Sequence, residues 1–163
     1  MNPLFKTAVA ILLSGSFAGA DDRVPPGREI LTLLQPGHPR LILTEDRLDE
    51  LRRLAETDPL LAQAVKKAMG HAESLRNYVP PPRESIGGEM LPVSSTCVNN
   101  LYALGLAWRW TGETRYAESV KQILLTVCAY EDWNPAHFLD TAEMAYAVGI
   151  RYDWIYDTLT EEE

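Results

Sequence analysis

The chain has 163 residues, 46% hydrophobic and 23% charged, a globular composition that argues against intrinsic disorder. Its 15 Lys and Arg against 23 Asp and Glu give a formal charge of −8, which argues against a nucleic-acid partner, because phosphates demand a Lys and Arg footprint. Two cysteines, Cys97 and Cys128, exclude a disulfide scaffold, and their spacing fits no zinc motif.

Residues 1–20, "MNPLFKTAVAILLSGSFAGA", carry one lysine, an apolar run too short to span a bilayer, and the small-residue pattern Ala18-Gly19-Ala20. They are expected to be a secretory signal peptide cut before Asp21, which places the mature chain outside the cytoplasm, secreted or periplasmic and without a membrane partner. The alternative is a membrane anchor, but "DDRVPPG" follows with no stop-transfer charges. Cleavage would remove only Lys6 from the charge count and take −8 to −9.

Residues 21–43 are rich in proline and glycine and read as an extended lead-in. In "LILTEDRLDELRRLAETD", Thr44 stands as an N-cap, Glu45 and Asp46 complement the helix dipole, and Leu48, Leu51 and Leu54 recur at helical spacing. A helix is predicted from about Glu45 to Glu56. Asp58 before Pro59 opens a second helix, on which His71 has no partner at ligand spacing and reads as a solvated side chain. Residues 78–93 hold four prolines and two glycines and form a long loop.

"SSTCVNNLYALGLAWRWTGE" places Cys97, Leu101, Leu104 and Trp108 on one face but is apolar elsewhere too, and Gly112 stops it. This helix is expected to be largely buried. "ETRYAESVKQILLTVCAYED" is amphipathic, with Val120, Leu124, Val127 and Cys128 on one side and Glu118, Lys121 and Gln122 on others. The two helices form a hairpin that brings Cys97 level with Cys128. A disulfide between them is geometrically open, but helix axes lie about 8–10 Å apart and a bridge needs alpha carbons about 5.5–6 Å apart, so two buried free thiols are the expectation.

The stretch "WNPAHFLDTAEMA" raises the functional question. His137, Asp140 and Glu143 recur at three-residue intervals, with Trp133, Asn134 and Pro135 just before them, and from Phe138 to Ile150 the helix is otherwise apolar and expected to be buried. Ala142, Ala145 and Gly149 form a small-residue face that admits a close neighbour. Carboxylates on a buried helix need hydrogen bonds, an ion pair or a wet cleft. Either this end faces a polar groove, where Trp133 stacks on a sugar and Asn134, His137, Asp140 and Glu143 bind hydroxyls, or the acids are structural. In the structural reading Asp140 satisfies first-turn amides and Glu143 pairs with an arginine from another helix. The spacing is not a metal motif, and neither metal nor cofactor is expected. In "YDWIYD" the aromatic residues Tyr152, Trp154 and Tyr156 read as core. Finally, Thr160 and Glu163 make a capping box with Leu159 as its staple, a helix-opening signature that reads as the start of more chain.

"HPRLILTEDRLDELR", "LYALGLAWRWTGETRYAESV" and "DWNPAHFLDTAEMAYAVGIRYDWIYDTLTEEE" together resemble the N-terminal toroid region of the heparinase II/III-like polysaccharide lyases, over roughly residues 38–163. The third stretch is the most specific. The resemblance implies an all-α fold in which residues 44–163 are an incomplete (α/α) toroid of antiparallel hairpins, with a β-sandwich further along. It also implies β-elimination on an acidic, uronic-acid polysaccharide, with the catalytic Asn, His and Tyr lying beyond Glu163. Two alternatives remain open: a toroid glycoside hydrolase and a non-catalytic helical-repeat carbohydrate-binding module. Acids one turn apart on one helix are poorly placed for a hydrolase, which sets its carboxyls about 5–9.5 Å apart across the sugar.

Overall fold

The computed structural model describes Thr32 and residues 34–163. The expected signal peptide lies outside these residues, as does nearly all of the unit Met1–Pro36, whereas the unit Gly37–Glu163 is described throughout. Among the described residues the chain is helical and has no strand beyond an isolated bridge between Ile86 and Glu89. Five helices run in order: α1 (Glu45–Ala55), α2 (Pro59–Ser74), α3 (Leu91–Thr111), α4 (Thr114–Cys128) and α5 (Phe138–Ile155), closed by a 3₁₀ turn at Tyr156–Thr158. No described helix is long and apolar enough to cross a membrane.

Local chemistry accounts for the boundaries. Asp58 accepts the N–H groups of Leu60 and Leu61 at 2.8 and 3.1 Å, the cap expected before Pro59. Thr44 precedes α1 in extended backbone, but its side chain makes no capping bond. Glu45 of that turn is instead paired with Arg109 at 2.7 Å. Gly112 ends α3 at φ +71, the left-handed conformation glycine adopts without Cβ strain. α3 begins earlier than the SSTC stretch suggests, at Leu91, because Pro92 is tolerated in a first turn that lacks intrahelical acceptors anyway.

α3 is the central element, packed against α2, α4 and α5. Cys97, Leu101, Leu104 and Ala107 of α3, Val120, Ile123 and Val127 of α4, and Met144, Ala147 and Ile155 of α5 are all fully buried in one cluster. A smaller cluster of Leu43, Leu48, Ile150 and Trp154 seats α1 and the lead-in. There Arg52 donates to the carbonyls of Arg109 and Trp110 at 3.0 and 2.9 Å, so a cation closes the C-terminal end of α3.

Asp153 anchors the lead-in. It accepts the N–H groups of Arg40 and Leu41, each at 2.8 Å, and lies 2.6 Å from His38 Nδ1, while the Trp154 indole donates to the Leu41 carbonyl at 3.0 Å. His38 in turn stacks on Tyr156 with centroids 3.8 Å apart. Burial alone would push the Asp153 carboxyl up, but these donors overcome it and hold the group below its usual value.

Further expectations are corrected. Cys97 is buried but Cys128 is exposed, and both are free: Cys128 closes the last turn of α4 on the rim of the apolar face, where no element covers it. α5 is not buried all round. Met144, Ala147, Ile150, Arg151 and Trp154 face inward, whereas Phe138, Leu139, Tyr146 and Tyr152 are exposed together with Ala142, Ala145 and Gly149. Apolarity gives a helix the capacity for burial, but a packed neighbour must supply it, and among the described residues the inward face alone has one. Nor does the close helix approach use that small-residue face. It occurs at Gly105 of α3, where an added Cβ would stand 3.0 Å from the Trp154 ring and 3.2 Å from Arg151 Cγ; around Gly149 such an atom would meet nothing within 4 Å.

Candidate functional site

The turn before α5 is built by its own polar side chains. Asp132 Oδ1 accepts the Asn134 N–H at 2.8 Å and is paired with Arg83 of the long loop. The Asn134 amide hydrogen bond comes first, with Arg83 beside it, in keeping the Asp132 carboxyl below its usual value despite some burial. Asn134 itself sits at φ +53, a conformation asparagine tolerates better than most residues with a Cβ. That geometry turns its side chain inward, where Nδ2 donates to the Gly88 carbonyl and to Asp140 Oδ2, both at 2.7 Å.

Asp140 is fully buried and is the hub of the arrangement. Besides Asn134 it accepts the Met90 N–H at 2.7 Å and stands 3.0 Å from His137 Nδ1, while Ser94 Oγ lies 3.5 Å away with its single proton given to Glu143. Desolvation pushes its carboxyl up, yet the Met90, Asn134 and His137 interactions outweigh it and hold the pKa below the ordinary carboxylate range. Asp140 therefore joins three segments: the end of the long loop, the start of α3 and the turn into α5. Three of its neighbours, Met90, Asn134 and His137, gather on Oδ2.

Glu143, one turn on, is half-buried and accepts Ser94 Oγ at 2.6 Å. Among the described residues no arginine pairs with it; in place of the arginine of the structural alternative stands Ser94, buried on α3. His137 is about one-third exposed, with Nδ1 toward Asp140 and Nε2 3.9 Å from Glu89. The carboxylate behind it fixes the ring orientation and leaves Nε2 outermost, the disposition a proton-transferring or hydroxyl-binding imidazole needs.

Asn134, His137, Asp140 and Glu143 are thus brought together: Asn134 is hydrogen-bonded to Asp140, Glu143 is held by Ser94, and His137 Nδ1 stands 3.0 Å from Asp140. Trp133 stands beside it rather than in it. Its indole N–H donates to the Val127 carbonyl at 2.9 Å, its ring packs on the main core, and its carbonyl accepts Thr141 Oγ1 at 2.8 Å. The residues offered outward are His137, with Asp140 behind it, and Glu143, held by Ser94. Residue spacing does not point to Ser94, Gly88, Met90 or Arg83. Only Ser94 carries a signal, as a polar residue on a helix otherwise destined for the core. Backbone donors from a loop leave no mark in residue type.

Among the described residues, no group of three His, Cys, Asp or Glu side chains is arranged to hold a metal ion. No family model matches this chain, and no curated protein matches it.

Proposed function

We propose that this chain is part of an exported polysaccharide lyase that cleaves uronic-acid polymers by β-elimination, with its helices forming part of an (α/α) toroid. The observation that carries the reading is the Asn134–His137–Asp140–Glu143 cluster. It falls within the stretch that most resembles the heparinase II/III-like lyases, and it holds an imidazole against a buried carboxylate at the outer end of α5. The uncovered apolar face of α5, with Ala142, Ala145 and Gly149 along it, is consistent with a further hairpin layer of such a toroid.

In such a reaction a base removes the proton beside the uronate carboxylate, that electron pair forms the C4–C5 double bond, the C4–O bond breaks, and an acid protonates the departing oxygen. His137 and Glu143 would bind sugar hydroxyls at the N-terminal end of α5. The base and acid would come from elsewhere in the full-length protein. The test is ultraviolet absorbance of the unsaturated uronate during incubation of the full-length protein with heparan, alginate, ulvan and pectic polymers. A rise on one polymer supports the lyase. New reducing ends without absorbance would move the reading to a toroid hydrolase, and neither signal, with retained polymer binding, to a carbohydrate-binding module.

A further inference from the structure

Arg151 is the largest of the fully buried side chains, and it sits on the inward face of α5. Its guanidinium carbon lies 4.7 Å from the Tyr102 ring centroid, 5.1 Å from that of Trp154 and 5.5 Å from that of Tyr146. Among the described residues, Nε, Nη1 and Nη2 find no hydrogen-bond partner. Three ring faces stabilise a cation but accept poorly from its five N–H groups, so the cage satisfies the charge and leaves the donors empty.

Two walls of this cage reach the surface. Tyr102 and Tyr146 are nearly half exposed, and both line a groove of about 550 Å³ that also presents His71, Thr96, Asn99 and Asn100. No residue of that groove belongs to the His137–Asp140 cluster. A buried cation without a counter-ion favours an anion, and the planar guanidinium fork matches a carboxylate through two parallel hydrogen bonds. Tyrosine faces and asparagine amides are the wall chemistry that suits a sugar ring and its hydroxyls rather than a bare ion.

We propose that Arg151 is the carboxylate anchor of a hexuronate-binding site in this groove, reached when the Tyr102 or Tyr146 ring turns aside. The choice of a sugar acid rests on the lyase reading; the location does not. Exposed side chains change rotamer within nanoseconds, so opening this wall requires no rearrangement of the helices.

The test monitors the Arg151 Nε–H resonance in ¹⁵N-labelled protein, assigned by its disappearance in Arg151→Lys. The titrants are galacturonate, glucuronate, their methyl esters and inorganic phosphate. A saturable shift with a uronate is expected, weakened on the order of tenfold or more in the methyl ester and in binding to Arg151→Lys, which keeps the charge but loses the fork. Arg151→Met should abolish binding while melting no lower than the parent, because it removes an unpaired buried charge. If Arg151→Met does not fold, the Arg151→Lys comparison still decides. No saturable shift with either uronate, equal affinity for the esters, or equal affinity for phosphate overturns the assignment. Binding is scored without cleavage: uronate binding in a protein that forms no unsaturated product sinks the lyase reading alone, and cleavage without an Arg151 response sinks this site alone.

Discussion

Replacing Asp140 by alanine should unfasten the junction between the long loop, α3 and α5. The substitution orphans two buried donors, the Met90 N–H and the Asn134 amide, each held at 2.7 Å, and removes the weaker interactions of Ser94 and His137. Each orphaned buried donor costs about 1–3 kcal/mol, so the two together cost about 2–6 kcal/mol, a large share of the about 5–15 kcal/mol that holds a typical domain. At about 2–4 °C per kcal/mol for a chain of this size, the melting temperature should fall by roughly 4–24 °C. Asp140→Asn keeps the shape and one acceptor but turns an amide toward the donors around it, and should fall between. Circular-dichroism melts and urea titrations read both variants. A loss below about 1 kcal/mol in Asp140→Ala would refute the hub assignment, because the donors would then have found other partners. The sign with pH comes from the depressed carboxyl: its contribution is full above the unfolded-state value of about 4 and is lost as pH falls through the lower folded-state value. The parent should therefore weaken on acidification more steeply than Asp140→Asn.

Asp153→Asn should release residues 38–43, read as faster amide exchange at Arg40 and Leu41 with little change in α4; unchanged protection there would remove Asp153 as the anchor. Gly105→Ala should destabilise by about 1–3 kcal/mol through overpacking against Trp154, whereas Gly149→Ala, with open space around it, should stabilise by about 0.5–1 kcal/mol; the opposite order in thermal melts would contradict the packing described. Cys128 should react with a thiol reagent in the native state, while Cys97, buried and pushed up to about 11, should react only on unfolding. Equal rates at the two thiols would count against that burial. Trp133→Ala should lower stability by about 3 kcal/mol or more, because the ring is packed and its N–H is bonded; a loss of sugar binding with no loss of stability would instead mark it as a platform.

Much of the helical layout is legible in the sequence because it is written in local chemistry. Asp58-Pro59 and Gly112 fix their boundaries through capping and a left-handed φ, and Val120, Leu124 and Val127 mark one face by period alone. The outward half of α5 is not legible. Its apolar pattern states what the helix can bury, and the partner that decides burial is not encoded in that pattern. At the site, the spacing of His137, Asp140 and Glu143 announces that the acids need an explanation. It does not apportion roles, because Asp140 is satisfied by Met90 and Asn134 contacts that depend on where the long loop returns. The same holds for Arg151, a residue whose spacing looks ordinary until three rings from two helices close over it.

The most direct test of the proposed activity is the mass of the fragments that the full-length protein releases from a uronic-acid polymer. β-Elimination predicts oligomers carrying an unsaturated end, one water lighter than hydrolytic fragments. Fragments of hydrolytic mass, or intact polymer across the whole panel, would contradict it.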